Sequence, residues 1–257
     1  MHSPYHAPLW IALLVGIASG SIGPFILLRR MALVGDALSH VALPGIALAV
    51  VYRLDPFYGV IVFLIVAAFL IFWLEGRSRV PADAIVGLLF TGSLAIGILI
   101  IPNGDVIESL FGAFPVLSLP FLLVILLTAA VLALFCFALA KRFLFRIVSA
   151  DLAEVNGLGR KYDLALLVMF AMIVALGIKL VGTLLMGALT IIPASIAKNV
   201  SRSMRAYLIA SSALGGAISV VGVWIAEAFG FPPGPSIVLL GVAVFLLSLV
   251  VGPKKAR

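Results

Sequence analysis

Residues 29–51 read RRMALVGDALSHVALPGIALAVV, an apolar stretch of membrane length that carries an aspartate and a histidine. Asp36 and His40 are four residues apart, so on a helix both side chains point the same way, with Cβ atoms about 5–6 Å apart. Pro44 has no N–H to donate to the carbonyl of His40, which leaves that oxygen free beside the imidazole. Because ionisable residues inside membrane spans mark functional sites, this face is the first candidate site.

The composition is that of a polytopic membrane protein. Of the 257 residues, 64% are hydrophobic and 11% are charged, whereas soluble domains are about one quarter charged. The net charge of +7 fits either nucleic-acid binding or membrane topology, and topology explains it better. The single cysteine, Cys136, lies in an apolar run, so an intrachain disulfide is excluded.

The sequence predicts a single domain, residues 1–257, that forms an all-α bundle of eight to nine membrane spans. Most of its apolar segments are long enough to cross a core of about 30 Å at about 1.5 Å per residue. The sixth segment is short and meets the seventh at Lys179, so this pair is either a tight hairpin or partly re-entrant. The nine segments are residues 8–28, 31–52, 57–74, 84–101, 119–140, 164–178, 180–197, 206–229 and 236–251.

The positions of lysine and arginine predict the orientation, because cytoplasmic loops hold the excess of these residues. With the amino terminus outside, all but two of the 17 lysines and arginines fall on the inner side, the exceptions being Arg53 and Lys179. This arrangement places the carboxyl terminus in the cytoplasm.

Small residues and prolines predict close packing inside the bundle. Gly16 and Gly20 form a GIASG spacing in the first segment, which lets a neighbouring backbone approach closely. Pro24 and Pro193 free further carbonyls, and such interrupted helices are tolerated where they are buried in protein or line a watery path.

The joint between the fifth and sixth segments, residues 141–163, is the longest polar interval and carries its own helix signals. Asp151 can cap a helix, with Glu154 three residues later as in a capping box, and Gly157 and Gly159 supply a left-handed stop. The pattern predicts about one and a half turns of helix at the surface. It is either an ordinary loop with a fortuitous cap or a docking helix for a soluble partner.

Three stretches, RRMALVGDALSHVALPGIAL, KLVGTLLMGALTIIPASIAK and GPSIVLL, resemble the membrane subunits of zinc, manganese and iron uptake ABC transporters, and most closely the zinc-uptake permeases. The resemblance covers nearly the whole chain. It implies a homodimer in the plasma membrane of a bacterium or archaeon, surrounded by lipid. It also implies two copies of a separate cytoplasmic ATPase and an extracytoplasmic metal-binding protein, with no nucleic-acid partner.

The resemblance also assigns residues to these roles. The aspartate and histidine of the family's G-D-x-L-S-H motif fall on Asp36 and His40, which are implied to be metal ligands. The coupling helix of the family falls on the segment that contains Asp151, Leu152, Glu154 and Gly157. The metal is cargo, with zinc expected ahead of manganese or iron, and no permanently bound cofactor is expected.

The chemistry of Asp36 and His40 suits such cargo. One carboxylate and one imidazole match Zn²⁺, Mn²⁺ or Fe²⁺ better than Ca²⁺ or Mg²⁺, which prefer oxygen alone. Two ligands completed by water, or by a symmetry-related pair from a second subunit, would hold the ion loosely enough for release. Binding requires a neutral imidazole and an ionised carboxylate, so the affinity for the metal should fall as the pH drops through the histidine range. The structural alternative pairs Asp36 with protonated His40 or with Arg29.

Three further acids are weaker candidates. Asp105 and Glu108, in the outer loop before the fifth segment, and Glu227, near the outer end of the eighth, would form a vestibule that attracts cations. Each also fits an ordinary solvated or interfacial acid.

The favoured function is therefore the permease subunit of an ATP-driven metal importer, with Gly35, Pro44 and Gly45 as flex points beside the ligands. The chain itself is not expected to be an enzyme: it has no G-x-x-x-x-G-K-[ST] string to bind ATP and no HExxH string of a zinc protease. The alternative is an ion- or proton-coupled secondary metal carrier. A plain scaffold would leave the polar pair and the capped helix unexplained.

Overall fold

The computed structural model describes residues 6–100, 119–182 and 186–251, and all regular structure in these residues is helical. The prediction of an all-α membrane bundle is confirmed. In chain order, the helices are α1 (His6–Leu28), α2 (Val34–Val51), α3 (Pro56–Arg77), α4 (Ala82–Ile100), α5 (Leu119–Val148), α6 (Ala150–Val155), α7 (Lys161–Val181), α8 (Met186–Val200), α9 (Met204–Phe229) and α10 (Pro233–Val251).

Seven of these helices are long and apolar enough to cross a membrane, namely α1, α2, α3, α5, α7, α9 and α10. Helix α4 has a shorter apolar stretch, Ala82–Gly97. Helix α8 has 15 residues and a length of about 22 Å, which is less than a bilayer core of about 30 Å. An eighth and a ninth span would therefore depend on α4 and α8.

Helices α1 and α9 form the most extensive helix pair of the bundle, and glycines bring their backbones together. A Cβ on Gly16 would lie 2.8 Å from the carbonyl carbon of Gly215, and one on Gly20 would lie 2.9 Å from Cα of Ser212. The Ser211 hydroxyl also donates a hydrogen bond to the carbonyl of Gly20 at 2.6 Å. The predicted close approach at the GIASG spacing is confirmed.

Helix α2 lies inside the bundle, in contact with α3, α4, α7 and α8. It runs without a break from Val34 to Val51 although Pro44 lies within it. Gly45 faces Gly59 of α3 so closely that a Cβ on Gly45 would lie 2.8 Å from the carbonyl carbon of Gly59. This contact fixes α2 against α3 beyond the proline.

The junction between the sixth and seventh predicted segments lies later than expected. Helix α7 continues through Lys179 to Val181, and Gly182 ends it with a φ of +82°. Helix α8 then begins at Met186, so Lys179 belongs to a helix rather than to the joint. Lysine is a good helix former, so one charge in an apolar run does not end a helix.

The polar interval 141–163 is more helical than predicted, and its capping residue differs. Helix α5 extends to Val148, and Ser149 rather than Asp151 occupies the N-cap position of α6, so the predicted cap is wrong. The short helix itself is confirmed, and so is its stop at Gly157, which has a φ of +75°. The Leu158 N–H donates to the Ala153 carbonyl at 2.8 Å, a hydrogen bond that closes the helix end.

One end of the bundle gathers basic side chains and is called the basic end below. Helices α1, α3 and α5 finish there, and α7 begins there. Arg29, Glu75, Arg146 and Asp163 meet at this end, and α6 lies beside them.

Candidate metal site

Helix α2 carries both residues of the candidate pair. Asp36 lies in the first turn and is half-buried, whereas His40, one turn further on, is only 8% exposed. Because the segment is helical from Val34, the prediction that the two side chains share one face of one helix is confirmed.

The neighbours of Gly35 show that the pair lies well inside the bundle. A Cβ on Gly35 would lie 3.5 Å from the Phe170 ring and 2.7 Å from Cα of Gly187. Counted along α7, Phe170 lies about 14 Å from its first residue, and Gly187 lies about 20 Å from the last residue of α8. The start of α2 therefore lies well along α7 from its first residue and far from the last residue of α8, beside the first turn of α8.

Asp36 and His40 each contact a different neighbouring helix. A Cβ on Gly187 of α8 would collide with Oδ1 of Asp36 and would lie 2.8 Å from both its Cγ and its backbone nitrogen. The His40 ring packs edge-on against Phe90 of α4, with 5.0 Å between the ring centroids. The pair therefore lies where α2 meets α4 and α8.

The His40 ring has an unused donor or acceptor. Its Nδ1 atom is buried and has no hydrogen-bond partner among the described residues. A buried polar atom without a partner costs free energy, so such atoms in proteins usually meet water, an ion or a ligand. An imidazole nitrogen with no protein partner is the form in which histidine binds a transition metal.

Arg29 does not serve the candidate pair. Its guanidinium contacts both Glu75 oxygens at 2.9 Å and lies 3.7 Å from a carboxylate oxygen of Asp163. The alternative in which Arg29 neutralises Asp36 is therefore wrong. The other structural alternative, an ion pair between Asp36 and protonated His40, is not among the salt bridges of the described residues.

A complete metal cage is absent from the part of the chain that the structure describes, where no three His, Cys, Asp or Glu side chains cluster. A metal ion bound by Asp36 and His40 would take its remaining ligands from water or from another subunit. Such an open site suits an ion that must be released.

The predicted flex points have a packing role in this structure. Gly35 and Gly45 allow α2 to touch α8 and α3, and the Ser39 hydroxyl bonds the Gly35 carbonyl at 2.6 Å. A hinge at Gly35, Pro44 and Gly45 stays a prediction.

The predicted vestibule acids do not gather into a described site. Asp105 and Glu108 lie outside the described residues. Glu227 is partly exposed near the last turn of α9, at the opposite end from Arg29.

The predicted coupling segment forms a surface helix with one buried alanine and two large exposed apolar side chains. Ala153 is buried, whereas Leu152 is 58% and Val155 86% exposed. Arg146 donates to the carbonyl of Ala150 at 2.9 Å, and its guanidinium lies 3.6 Å from Glu154. Glu154 therefore meets an arginine of α5 rather than completing a capping box with Asp151.

Sequence reasoning missed Gly187 and Phe90, the two residues that pack against the candidate pair. It also missed the contacts of Asp163 with Arg29 and Arg146. Gly187 lies within the second stretch of the family resemblance, KLVGTLLMGALTIIPASIAK, so a small residue was visible there. Its contact with Asp36 depends on how α2 and α8 pack, which the motif does not state.

Comparison with known proteins agrees with the family expected from the sequence. Residues 4–252 match the ABC 3 transport family. The chain is 33% identical over 253 residues to the manganese import system permease protein ScaB of Streptococcus gordonii, covering 95% of this chain and 90% of that protein. It is 32% identical over 250 residues to the high-affinity zinc uptake system membrane protein ZnuB of Buchnera aphidicola subsp. Schizaphis graminum, covering 94% and 95%.

A solved structure has the same fold. PsaBC from Streptococcus pneumoniae in complex with Fab superposes with a TM-score of 0.85 and 33% identity, covering 99% of this chain and 94% of that one. The match to the family spans nearly the whole chain, and the relatives share about a third of its residues along their length. The chain therefore belongs to the ABC 3 transport family.

Proposed function

We propose that this protein is the permease subunit of an ATP-driven importer that moves a divalent transition metal ion into the cytoplasm. The single observation that carries the proposal is the position of Asp36 and His40 inside an apolar bundle, where Nδ1 of His40 has no hydrogen-bond partner in the part of the chain that the structure describes. Family membership and the names of the relatives support the same cargo class.

The cargo in this proposal is Mn²⁺ or Zn²⁺. The relatives' names include both metals at nearly equal identity, so the preference for zinc over manganese has no support beyond the motif resemblance. One carboxylate and one imidazole bind both ions, and selectivity between them depends on geometry and on the protein that delivers the ion.

The site would act by replacing part of the hydration shell of the ion. Asp36 supplies a negative oxygen and His40 a neutral nitrogen, which together offset the cost of bringing a divalent charge into an apolar bundle. Two ligands leave the other coordination positions to water or to a second subunit, so the ion is released when the surrounding helices shift.

The proposed partner proteins bind at opposite ends of the bundle. In this proposal the basic end faces the cytoplasm, together with the carboxyl terminus, because lysine and arginine concentrate there. A separate ATPase docks on α6, two copies of the chain form the transporter, and an extracytoplasmic protein delivers the metal. The bundle then has eight to nine spans, with α4 and α8 counted beside the seven long helices.

The test is metal uptake by the complete complex in proteoliposomes, with radioactive manganese and zinc supplied on the binding-protein side. Wild type should take up metal only when ATP is present on the ATPase side. His40→Leu and Asp36→Asn should abolish uptake, because each removes one of two ligands. Ser39→Ala is the matched control: it alters a buried polar residue at the same depth that bonds only within α2.

Two results would overturn the proposal. One is normal metal uptake by an assembled His40→Leu complex. The other is uptake that needs no ATP and collapses when the proton gradient is removed, which would indicate the secondary carrier instead.

A further inference from the structure

Asp163, in the first turn of α7, contacts two arginines from different parts of the chain. One of its oxygens accepts a hydrogen bond from Nε of Arg146 at 2.9 Å, and the other lies 3.7 Å from Nη1 of Arg29. Arg29 also contacts both oxygens of Glu75 at the end of α3. These contacts form one chain of charges, Glu75–Arg29–Asp163–Arg146, called the charge relay below.

Three of the four side chains of the relay are largely buried in the protein. The side chains of Arg29 and Asp163 are each 14% exposed and that of Arg146 is 9% exposed. Long basic side chains at a membrane surface usually extend their heads into water. Here the guanidinium groups are held by partners inside the basic end, which points to a specific positioning role.

One end of the relay holds the surface helix α6. Arg146 donates from Nη1 to the carbonyl of Ala150, the first residue of α6, while its Nε bonds Asp163. After α6, Arg160 donates to the carbonyl of Phe72 in α3 and packs its guanidinium over the Phe72 ring, 4.7 Å from the centroid. The surface helix is thus tied to the bundle on both sides by arginines.

The other end of the relay leads toward α2, the helix that carries Asp36 and His40. Arg29 follows the last residue of α1, and only a tight turn separates it from α2. In that turn Arg30 has a φ of +60°, and the Met31 N–H bonds the Ile26 carbonyl at 3.1 Å. A shift of Arg29 is therefore passed to α2 through a short, hydrogen-bonded connection rather than absorbed by a flexible loop.

The relay also has space in which to rearrange. Arg29, Glu75, Arg146, Arg160 and Asp163 line an open cavity of about 460 Å³ at the basic end. Ion pairs beside such a cavity can exchange partners with water or with each other, unlike pairs in a close-packed core.

We infer that the charge relay is the mechanical link between the surface helix and the metal pair. Asp163 is its central positioning residue, because it contacts both Arg146, the α5 arginine that bonds the start of α6, and Arg29, which precedes α2. Displacement of α6 by a bound ATPase moves Arg146, which shifts Asp163 and Arg29 and reorients α2 with Asp36 and His40. This inference rests on the proposed function.

The test compares metal transported per ATP hydrolysed, using the complete complex in proteoliposomes with manganese and zinc as probes. Arg146→Met removes the link to Asp163 and to Ala150. Asp163→Asn keeps the size of the side chain and removes the charge that both arginines share. The matched control is Arg142→Met, one turn earlier on α5, because Arg142 is exposed and contacts the Tyr162 ring rather than the relay.

Both relay variants should assemble and hydrolyse ATP while the metal transported per ATP falls about 5- to 150-fold, the range of typical coupling energies between sites. Arg142→Met should keep the wild-type ratio. A substitution that merely destabilised the fold would lower ATP hydrolysis and metal transport together, so the metal transported per ATP would be unchanged.

Several results would overturn the inference. One is a wild-type amount of metal transported per ATP in both relay variants when they assemble. Another is an equal fall in metal transported per ATP in Arg142→Met. The third is failure of both relay variants to assemble. If only one assembles, its ratio decides. If the wild-type complex moves neither metal, the proposed function fails instead, and this result is distinct because it does not involve the variants.

Discussion

The contact between Gly187 and Asp36 gives the sharpest test of the proposed metal site. In a Gly187→Ala variant the new methyl group would collide with Oδ1 of Asp36 and would lie 2.8 Å from its backbone nitrogen. The carboxylate can rotate away, but the backbone nitrogen cannot move without α2. An ordinary van der Waals contact begins at 3.4 Å, so helices α2 and α8 must separate by at least about 0.6 Å.

The magnitude follows from the cost of overpacking. Inserting a methyl group into a close-packed contact costs about 1–3 kcal/mol. If this cost falls on the metal-bound arrangement, uptake at subsaturating metal should fall about 5- to 150-fold, since every 1.4 kcal/mol is about tenfold. Rotation of the carboxylate away from the new methyl group also changes its position relative to His40, so the apparent affinity for the metal should weaken more than the maximal rate.

The assay is initial uptake by the reconstituted complex over a range of manganese and zinc concentrations. Gly222→Ala is the control for overpacking away from the site, because its Cβ would lie 2.6 Å from Cα of Ile237 between α9 and α10. Gly92→Ala is the control for an added methyl group in open space. The reasoning is refuted if Gly187→Ala, correctly assembled, has the same metal affinity as these two controls.

Three further predictions concern the basic end. Gly157→Ala should cost about 1–2 kcal/mol of strain in the left-handed conformation and reduce ATPase co-purification, whereas Gly159→Ala should not; equal co-purification would contradict this. Leu152→Ser should leave the thermal midpoint of the purified permease nearly unchanged, because the side chain is 58% exposed, but should weaken ATPase binding in a pull-down; unaltered binding would remove Leu152 from the docking surface. Glu75→Gln should lower the free energy of unfolding by about 1–3 kcal/mol, seen as a lower thermal midpoint, because Arg29 loses a charged partner. An unchanged midpoint would show that Asp163 alone is a sufficient charged partner for Arg29.

Local patterns were sufficient for the features that depend on a single helix. The four-residue spacing of Asp36 and His40 predicts one helical face, and the long apolar run around it predicts a membrane helix; both are present in α2. Gly157 was also identified correctly, because a left-handed helix end strongly favours glycine.

Features that depend on packing between distant segments were not predictable from such patterns. Arg29 pairs with Glu75 and Asp163, which lie 46 and 134 positions away along the chain, rather than with nearby Asp36. The helix cap failed for a smaller reason. Ser149 and Asp151 are both residue types that cap helices, and α6 begins at Ala150 with Ser149 at the N-cap position, although the Ser149 side chain makes no capping hydrogen bond.

The glycine contacts between α1 and α9 have a consequence for measuring motion in this protein. Two helices whose backbones touch at Gly16 and Gly20 cannot slide past each other or tilt toward each other without a collision of main-chain atoms, and separation would forfeit this close contact. Spectroscopic probes placed on this pair should keep a constant separation throughout the transport cycle. The distance between these probes would serve as a constant reference for measuring the displacement of the other helices.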